Sequence, residues 1–395
     1  MNILIMTNMF PPVTTGSSHY AEDLATMLNT SGHNVTVVTV KLNSTIDTQK
    51  DRHYPFSIIR LPALHIKLKG FNWLTLSSLN PRNYFRLAQI LKRNNIDIVH
   101  QINHYLDTAI LTRIVCKFKK IPYVVSVHTQ LQFIPKVHTP LLKLLDKIIS
   151  GYFILKGSSK IIALDSEILR YLKDTNGTWI NKTKNENKVA VIPHGIKIDD
   201  SKFPAKTNYK LSSLIISVGH VINIRSRLTL IRAMKLVVGE FPSIRLEIIG
   251  HVYTNEPSEL IKELGLENNI YLLGEKSHMD TIERIKEADI HAVWLNLKYV
   301  GMGTAVQESM LCGVPVINNS PENLYGDPAL RNMRDLVLID HNNVAEIACK
   351  IILLLKDGSL KKSIGQNGRN YVINNLDINI IIKKIEDTYL SVIRK

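Results

Sequence analysis

The sequence contains little cysteine and no arrangement of it that would build a disulfide framework or a zinc site. Its three cysteines, Cys116, Cys312 and Cys349, are an odd number and form no C-x-x-C pair. Unpaired thiols of this kind are typical of a cytosolic protein. The sequence also has no apolar run near the roughly 20 residues of a membrane span. The start of the chain lacks a basic flank, so we expect neither a cleaved signal nor a helical anchor.

Two further absences argue against cofactor and metal chemistry. The loop from Phe10 to Gly16 is not a G-x-G-x-x-G fingerprint, which weighs against a bound dinucleotide. His100 and His104 are four residues apart, but no Glu lies between them and no third ligand is near in sequence. We therefore predict no metal site and no resident cofactor.

What the chain does contain is typical of a two-domain globular protein. It has 395 residues, of which 45% are hydrophobic and 21% charged. Residues 1–200 carry 25 Lys and Arg against 13 Asp and Glu, a net +12, whereas residues 201–395 carry 24 against 21, a net +3. An anionic partner should therefore meet the N-terminal half. No nucleic-acid recognition module is visible, so we favour an anionic membrane surface or acceptor; a basic surface without a partner stays open.

Apolar strands alternate with amphipathic helices along the whole chain. Strands are predicted at 3–6, 35–39, 57–61, 96–100, 123–127, 160–164 and 189–192, with helices that include 82–92 and 141–155. After a polar linker at 199–212, strands follow at 214–218, 245–249, 270–273, 290–295 and 314–317, and helices include 228–238, 305–311, 344–355, 360–375 and 377–393. This alternation predicts an α/β fold of two facing Rossmann-like domains, with ligands in the cleft at the carboxyl ends of the strands.

Three segments after predicted strands carry the candidate site residues. In the segment from Ser217 to Arg227, the Gly219 loop holds His220, Arg225 and Arg227 just before a helix, an arrangement that suits a diphosphate. Gly301, Met302, Gly303 and Thr304 precede a second helix that contains Glu308, whose carboxylate suits sugar or ribose hydroxyls. His128 follows the strand at 123–127. Each segment alone is also compatible with a purely structural role.

Taken together, these segments resemble glycosyltransferases of family 4, which have the GT-B fold. The resemblance rests on the order of the following motifs, which span nearly the whole chain: Phe10-Pro-Pro through Gly16, Gly32 to Val38, Ser126-Val127-His128, Ile161 to Ser166, Val191 to Ile196, the Gly219 loop, and Glu308 through Pro315. It implies a retaining transfer from a nucleotide diphosphate sugar to an acceptor, without a metal. It also implies an acceptor-binding domain at 1–205, a donor-binding domain at 206–376, and a final helix at 377–395 that packs back on the N-terminal domain.

The resemblance assigns roles to individual residues. Arg225 takes the place of the family's diphosphate-binding lysine, and Gly16 lies under the diphosphate or the transferred sugar. Glu308 holds the ribose, and His128 lies near the donor sugar. Two departures stand out, because the family usually has Arg where this chain has His220 and a second Glu where it has Val300. For the first departure, Arg227 could replace the missing arginine, or the bound diphosphate could protonate His220. For the second, backbone groups of Gly301 to Thr304 would have to recognise the sugar in place of the missing carboxylate.

Three functions are consistent with these residues. The leading hypothesis is a hexosyltransferase of cell-envelope or exopolysaccharide synthesis, cytoplasmic or peripheral on the inner face of the membrane, that uses a lipid-linked or saccharide acceptor. The second is a sugar-nucleotide-binding partner protein that has lost transfer activity, and the third is a nucleotide-sugar epimerase. The segment from Thr139 to Lys156, with its lysines between apolar pairs, could attach the chain to anionic lipid, although such a stripe can also face the core.

Overall fold

The computed structural model describes residues 1–13, 15–41, 48–68, 71–105, 107–129, 144–180, 188–209, 213–222, 227–295 and 301–393. The chain forms two compact units. The first consists of residues 1–194 together with 379–395, and the second of residues 195–378.

The first unit contains a seven-stranded parallel sheet. Its strands are β1 (Asn2–Met6), β2 (Asn34–Val40), β3 (Ser57–Leu61), β6 (Ile98–Ile102), β7 (Tyr123–Val127), β8 (Lys160–Ala163) and β9 (Val189–Val191), in the order β3-β2-β1-β6-β7-β8-β9. A separate antiparallel hairpin consists of β4 (Leu64–Leu68) and β5 (Phe71–Leu76). Every residue of β6 and β7 is buried, including the polar side chains of His100, Gln101 and Ser126.

Helices connect these strands. They are α1 (Gly16–Thr30), α2 (Pro81–Arg93), α3 (Thr108–Lys119), α4 (Ser166–Ile180), a π-helix (Asp146–Leu155) and a short 3₁₀ helix (Thr48–His53). The sequence predicts an ordinary helix at 141–155. The structure has a π-helix over most of that range, and residues 141–143 lie outside the described residues.

The second unit contains a six-stranded parallel sheet. Its strands are β10 (Leu214–Val218), β11 (Arg245–Ile249), β12 (Ile270–Gly274), β13 (Ile290–Ala292), β14 (Val316–Asn318) and β15 (Val337–Leu338), in the order β12-β11-β10-β13-β14-β15. Its helices are α5 (Arg227–Glu240), α6 (Glu256–Glu263), α7 (His278–Glu287), α8 (Thr304–Leu311), α9 (Val344–Lys356) and α10 (Gly358–Asn375). Apolar side chains of the sheet and of α5 and α9 pack into one core.

The last helix, α11 (Ile378–Ile393), is fixed to the first unit by two polar contacts. The Tyr389 side chain is fully buried, and its hydroxyl lies 2.5 Å from Nδ1 of His100 in β6. Glu386 accepts a 2.9 Å hydrogen bond from Nε2 of His33. Among the described residues, no helix is long and apolar enough to cross a membrane.

Both sheets have the strand order of a doubly wound fold. The order reverses between β1 and β6 in the first unit and between β10 and β13 in the second, and all these pairings are parallel. The predicted architecture of two Rossmann-like α/β units is confirmed. Ligands of such sheets bind at the carboxyl ends of the strands beside the reversal, so these two places are where a site is expected.

Candidate functional site

Two of the predicted segments meet at the strand-order reversal of the second unit. The Gly219 loop follows β10, and Gly301 to Thr304 precede α8 on the connection from β13. β10 and β13 are paired in parallel, with Ile216 opposite His291. The two connections therefore leave the same edge of the sheet from neighbouring strands.

The Gly219 loop is held by close backbone packing. Gly219 has φ +125°, and its amide donates a 2.8 Å hydrogen bond to the carbonyl of Ile249 at the end of β11. Gly250 has φ +144° and lies against this loop so closely that a β-carbon there would overlap the Gly219 carbonyl and come within 2.8 Å of the His220 amide. Only glycine fits at position 250, and the loop conformation depends on it.

The cations of this loop have different environments. His220 is exposed, and its ring meets that of Tyr253 edge-on at 5.7 Å. Arg225 lies in the range 223–226, outside the described residues. The sequence suggests Arg227 as a replacement for the missing family arginine, but the structure buries this side chain. Arg227 donates hydrogen bonds to the Ser217 hydroxyl and, at 2.9 Å, to the carbonyl of Gly219. Arg227 therefore holds the loop from inside the unit and does not present its charge to solvent.

The buried His291 side chain links the two connections through hydrogen bonds. The Val218 amide donates to its Nε2 at 3.1 Å, so Nδ1 carries the hydrogen and donates to the Ser309 hydroxyl at 2.6 Å. Ser309 in turn donates to the carbonyl of Ala305 in the first turn of α8. A fully buried imidazole thus fixes the end of β10 relative to the start of α8.

The start of α8 can receive an anion. Gly303 is the N-cap, no side chain caps the helix, and no acidic residue lies in its first turn. Gly303 and Thr304 are exposed, and Gly301 and Met302 are half-buried. Free amide groups and the helix dipole at such an end favour a phosphate or another anion. No atom of the described residues lies within 4 Å of where a β-carbon of Gly303 would be. The fold alone does not require glycine there.

Glu308 is the fifth residue of α8, and its side chain is 13% exposed. Its Oε1 accepts a 2.7 Å hydrogen bond from Nε2 of His278, the first residue of α7. Among the described residues, Oε2 of Glu308 has no hydrogen-bond partner. One carboxylate oxygen is held in place, and the other can accept a hydrogen bond from a ligand.

In the first unit, Gly16 begins α1 directly after the loop that follows β1. Thr15 caps this helix through a reciprocal pair of hydrogen bonds with Ser18, and no acidic residue lies in the first turn. A β-carbon at Gly16 would meet none of the described atoms within 4 Å. As at Gly303, packing gives no reason for a glycine, whereas close approach of a ligand would.

His128 lies directly after β7, half-buried, with Tyr20 packed edge-on against its ring at 4.2 Å. Its Nε2 is 3.0 Å from the Ser126 hydroxyl. Burial is the main cause that lowers the pKa of His128 well below its usual value. The imidazole is therefore neutral near pH 7 and offers hydrogen-bonding atoms without a charge.

Asn103 connects the two predicted residues of the first unit. It lies directly after β6 with φ +62°, a conformation that asparagine tolerates better than most residues. Its Nδ2 donates to the Ser17 hydroxyl at 3.0 Å, next to Gly16, and its Oδ1 accepts from the His128 amide at 3.2 Å. The structure therefore brings the α1 start and His128 together through this side chain.

Asn103, His278 and His291 were not identified from the sequence. Asn103 had a detectable signal, because a polar residue directly after an apolar strand lies at the edge of the sheet where ligands bind. His278 and His291 had none, because their partners are 30 and 73 residues away in sequence.

The fold and these connections are those of the GT-B class of proteins, which are built from two Rossmann-like units. Comparison with known families then identifies the family. Residues 14–200 match Glycosyltransferase Family 4, and residues 199–371 match Glycosyl transferases group 1. The chain belongs to glycosyltransferase family 4.

Individual relatives are distant but cover most of the chain. An uncharacterized glycosyltransferase of Methanocaldococcus jannaschii, MJ1069, is 22% identical over 353 residues, 86% of this chain and 85% of that protein. The UDP-Gal:alpha-D-GlcNAc-diphosphoundecaprenol alpha-1,3-galactosyltransferase of Escherichia coli is 24% identical over 329 residues, 79% of this chain and 80% of that protein. The crystal structure of Anabaena Alr3699/HepE in complex with UDP aligns with a TM-score of 0.73 at 16% identity, covering 99% of this chain and 100% of that one. This last likeness is one of fold.

Proposed function

We propose that the protein is a retaining hexosyltransferase that moves a sugar from a uridine diphosphate donor to an acceptor of cell-envelope or exopolysaccharide synthesis. The observation that carries the proposal is the pair of connections at the strand-order reversal of the second unit. An uncapped helix start and the Gly219 loop leave neighbouring strands there, with a carboxylate one turn further along α8. This arrangement suits a nucleoside diphosphate.

Each residue has a role in this proposal. His220 and Arg225 neutralise the diphosphate, and Glu308 accepts hydrogen bonds from the ribose. Gly301, Met302, Gly303 and Thr304 contact the sugar and the adjoining phosphate through their backbone. Gly16 admits the diphosphate or the transferred sugar, and His128 contacts that sugar as a neutral hydrogen-bonding group. Basic side chains and helix starts stabilise the leaving diphosphate, so the reaction needs no metal.

Support for the donor and the acceptor comes from relatives. The Anabaena protein with the same fold was crystallised with UDP, and the name of the Escherichia coli relative specifies a UDP-sugar and an acceptor on diphosphoundecaprenol. A lipid-linked or saccharide acceptor is therefore the first class to test.

A specific observation also favours a second function, a sugar-nucleotide-binding partner protein without transfer activity. Arg227 is used inside the unit and His220 replaces an arginine, so the diphosphate has fewer fixed cations than the family resemblance leads one to expect. Such a protein would bind the donor but stabilise the departing diphosphate poorly.

One assay distinguishes the two. A thermal-shift screen of UDP, GDP, ADP and their sugars identifies the donor, because a ligand of the native state raises the melting temperature. The selected donor is then incubated with lipid-linked and saccharide acceptors, and the products are followed by NMR. Transfer with retained anomeric configuration supports the enzyme, and binding without hydrolysis or transfer supports the partner protein. An inverted product contradicts the proposed mechanism, and epimerised donor without transfer contradicts both functions.

We further propose peripheral attachment to an anionic membrane through one surface of the first unit. This surface, the lysine-flanked apolar face, consists of six exposed side chains on and just before the π-helix: Leu144, Leu145, Ile148, Ile149, Tyr152 and Phe153. They recur at every fourth position, so they lie on one side of the helix. A contiguous exposed apolar patch on a chain of this kind usually marks an interaction site.

Among the described residues, the exposed charged side chains of this segment and of the end of α3 are all lysines. Lys147 and Lys156 are exposed on the same segment, and Asp146, its one acidic residue, is buried and accepts a 2.6 Å hydrogen bond from Tyr171. In the neighbouring helix α3, Arg113 donates a 2.9 Å hydrogen bond to the Phe153 carbonyl of the π-helix. The C-terminal end of α3 is exposed and includes Lys117, Phe118, Lys119 and Lys120. Each lysine near an anionic bilayer contributes on the order of 1 kcal/mol to binding.

Vesicle sedimentation tests this attachment. The protein should bind vesicles with phosphatidylserine but not purely zwitterionic ones, and rising salt should release it. Ile148→Glu should reduce binding at least tenfold, whereas Leu236→Glu, on a residue of the second unit with almost the same exposure (50% against 51%), should not. An unchanged far-UV circular dichroism spectrum and cooperative thermal unfolding check that each variant is folded. Equal binding to both vesicle types, or unchanged binding by Ile148→Glu, would contradict the assignment.

A further inference from the structure

The His278 side chain lies between a lysine and the carboxylate that the proposed function gives to the ribose. Its Nε2 is 2.7 Å from Oε1 of Glu308, and its Nδ1 is 3.3 Å from Nζ of Lys202. All three residues belong to the second unit.

These contacts determine the protonation pattern of the imidazole. A lysine ammonium can only donate, so Nδ1 of His278 accepts from Lys202 and carries no hydrogen. The single ring hydrogen then resides on Nε2 and is donated to Glu308. The three groups form one chain of hydrogen bonds that ends at the Glu308 carboxylate, with the His278 ring as its central member.

His278 is itself held in place by the start of α7. Ser277 caps this helix by accepting a 3.1 Å hydrogen bond from the Asp280 amide, so the backbone of the first helical residue is fixed. The helix follows β12, at the same edge of the sheet as the Gly219 loop and the connection to α8. A rigid element therefore supplies the donor that orients Glu308.

We infer that His278 is a positioning residue for Glu308 and that it sets the preference of the site for a ribose over a deoxyribose nucleotide. Held at Oε1, the Glu308 carboxylate presents Oε2 in one orientation to the vicinal hydroxyls of the sugar. Without His278, the side chain would be free to rotate and to pair with water, and the contribution of the 2′-hydroxyl to binding would fall. The inference rests on the proposed role of Glu308.

The experiment compares the affinities of the protein for UDP and 2′-deoxy-UDP by calorimetry. A hydrogen bond to a charged group corresponds to roughly a tenfold or greater difference in affinity, so the wild type should prefer UDP by about that factor. His278→Ala should reduce the preference to about twofold or less. His278→Gln, whose amide nitrogen can replace Nε2 as the donor, should restore most of it. In turnover, His278→Ala should raise the donor KM several-fold and change kcat little.

Two further variants separate the possible failures. Glu308→Gln should reduce the preference for UDP as His278→Ala does; if it leaves the preference intact, the ribose contact itself is wrong. If Glu308→Gln reduces the preference and His278→Ala does not, the ribose contact stands and the role of His278 is overturned. Tighter UDP binding by His278→Ala would also overturn it, because His278 would then compete with the ligand. His341→Ala is the control: His341 also lies near a carboxylate, 3.5 Å from Asp340, but follows β15 at the far edge of the sheet.

Discussion

Mild acid should destabilise the first unit, because it contains fully buried histidines, His100 in β6 and His104 just after that strand, that cannot readily be protonated. His100 and His104 are both fully buried. Burial lowers the pKa of His100 to about 3, and it lowers the pKa of His104 to about 4 although Asp146 acts in the opposite direction. His104 Nε2 lies 3.0 Å from the hydroxyl of Tyr171, which itself donates to Asp146. Both imidazoles are neutral in the native state.

The magnitude follows from proton linkage. A histidine whose pKa is lower in the folded than in the unfolded chain binds fewer protons when folded. Its contribution to stability is complete above the unfolded pKa of about 6.5 and is lost as the pH falls towards the folded value. Between pH 7 and pH 5 each residue loses roughly 2 kcal/mol, so His100 and His104 together lose about 4 kcal/mol. That is a large part of the 5–15 kcal/mol typical of a domain.

Two buried carboxyl groups have the opposite effect on the pH dependence of stability, and the assay must separate their effect from that of the histidines. Burial raises the pKa of Asp165 and of Glu167, so acid partly stabilises the native state through them. The effect of one histidine is therefore measured as a difference between proteins and not from the total slope. The double variant His100→Leu with Tyr389→Phe removes both members of a buried pair and leaves no unpaired hydroxyl behind.

Guanidinium unfolding at pH 7, 6 and 5 provides the measurement. Pulse-labelling hydrogen exchange of the β6 and β7 amides at each denaturant concentration, measured by mass spectrometry, follows the first unit alone. The double variant should lose about 2 kcal/mol less than the parent between pH 7 and pH 5. His65→Gln, at an exposed histidine, should follow the parent. Parallel pH dependence of the parent and the double variant would refute the role of His100.

Three further predictions concern the candidate site. Gly16→Ala should leave the melting temperature almost unchanged and lower transfer at least tenfold. Gly250→Ala should cost about 1–3 kcal/mol of stability and weaken UDP binding, because it displaces the Gly219 loop. Equal melting temperatures for the two variants would contradict this prediction. His128→Ala should lower kcat and leave donor KM nearly constant, and the reverse pattern would make His128 a docking residue. Arg225→Ala should weaken UDP binding roughly 10- to 100-fold, and calorimetry on a folded variant with unchanged affinity would disprove the phosphate contact.

The strands were the most predictable part of the fold. The predicted bounds at 57–61, 123–127, 214–218 and 245–249 agree with β3, β7, β10 and β11 at both ends. Each is a short segment rich in β-branched or aromatic residues, and β7, β10 and β11 are largely buried. The hairpin of β4 and β5 was not predicted, although Ile66, Phe71, Trp73 and Thr75 are residues that favour strands.

The direction of a side chain was less predictable than its position. Arg227 was correctly placed next to the Gly219 loop, at the start of a helix, where its charge suggested a ligand. Its orientation depends on the Ser217 hydroxyl and on the Gly219 carbonyl, which accept its hydrogen bonds from the inner side. A sequence motif shows that a cationic side chain is present. It does not show whether that side chain donates its hydrogen bonds to a ligand or to the protein backbone.

Some glycines of this chain are required by the packing of the fold, and others are not. Gly250 and Gly365 each lie so close to another backbone that a β-carbon would overlap it, so the fold itself explains these two glycines. Gly16 and Gly303 begin or cap helices beside the strand-order reversals and have no described atom within 4 Å of that position. In the sequence all four look alike, because the reason for a glycine lies in what surrounds it. At a helix start beside a strand-order reversal, a glycine that the protein's own packing does not require leaves room for a ligand to approach the backbone, which is what Gly16→Ala tests.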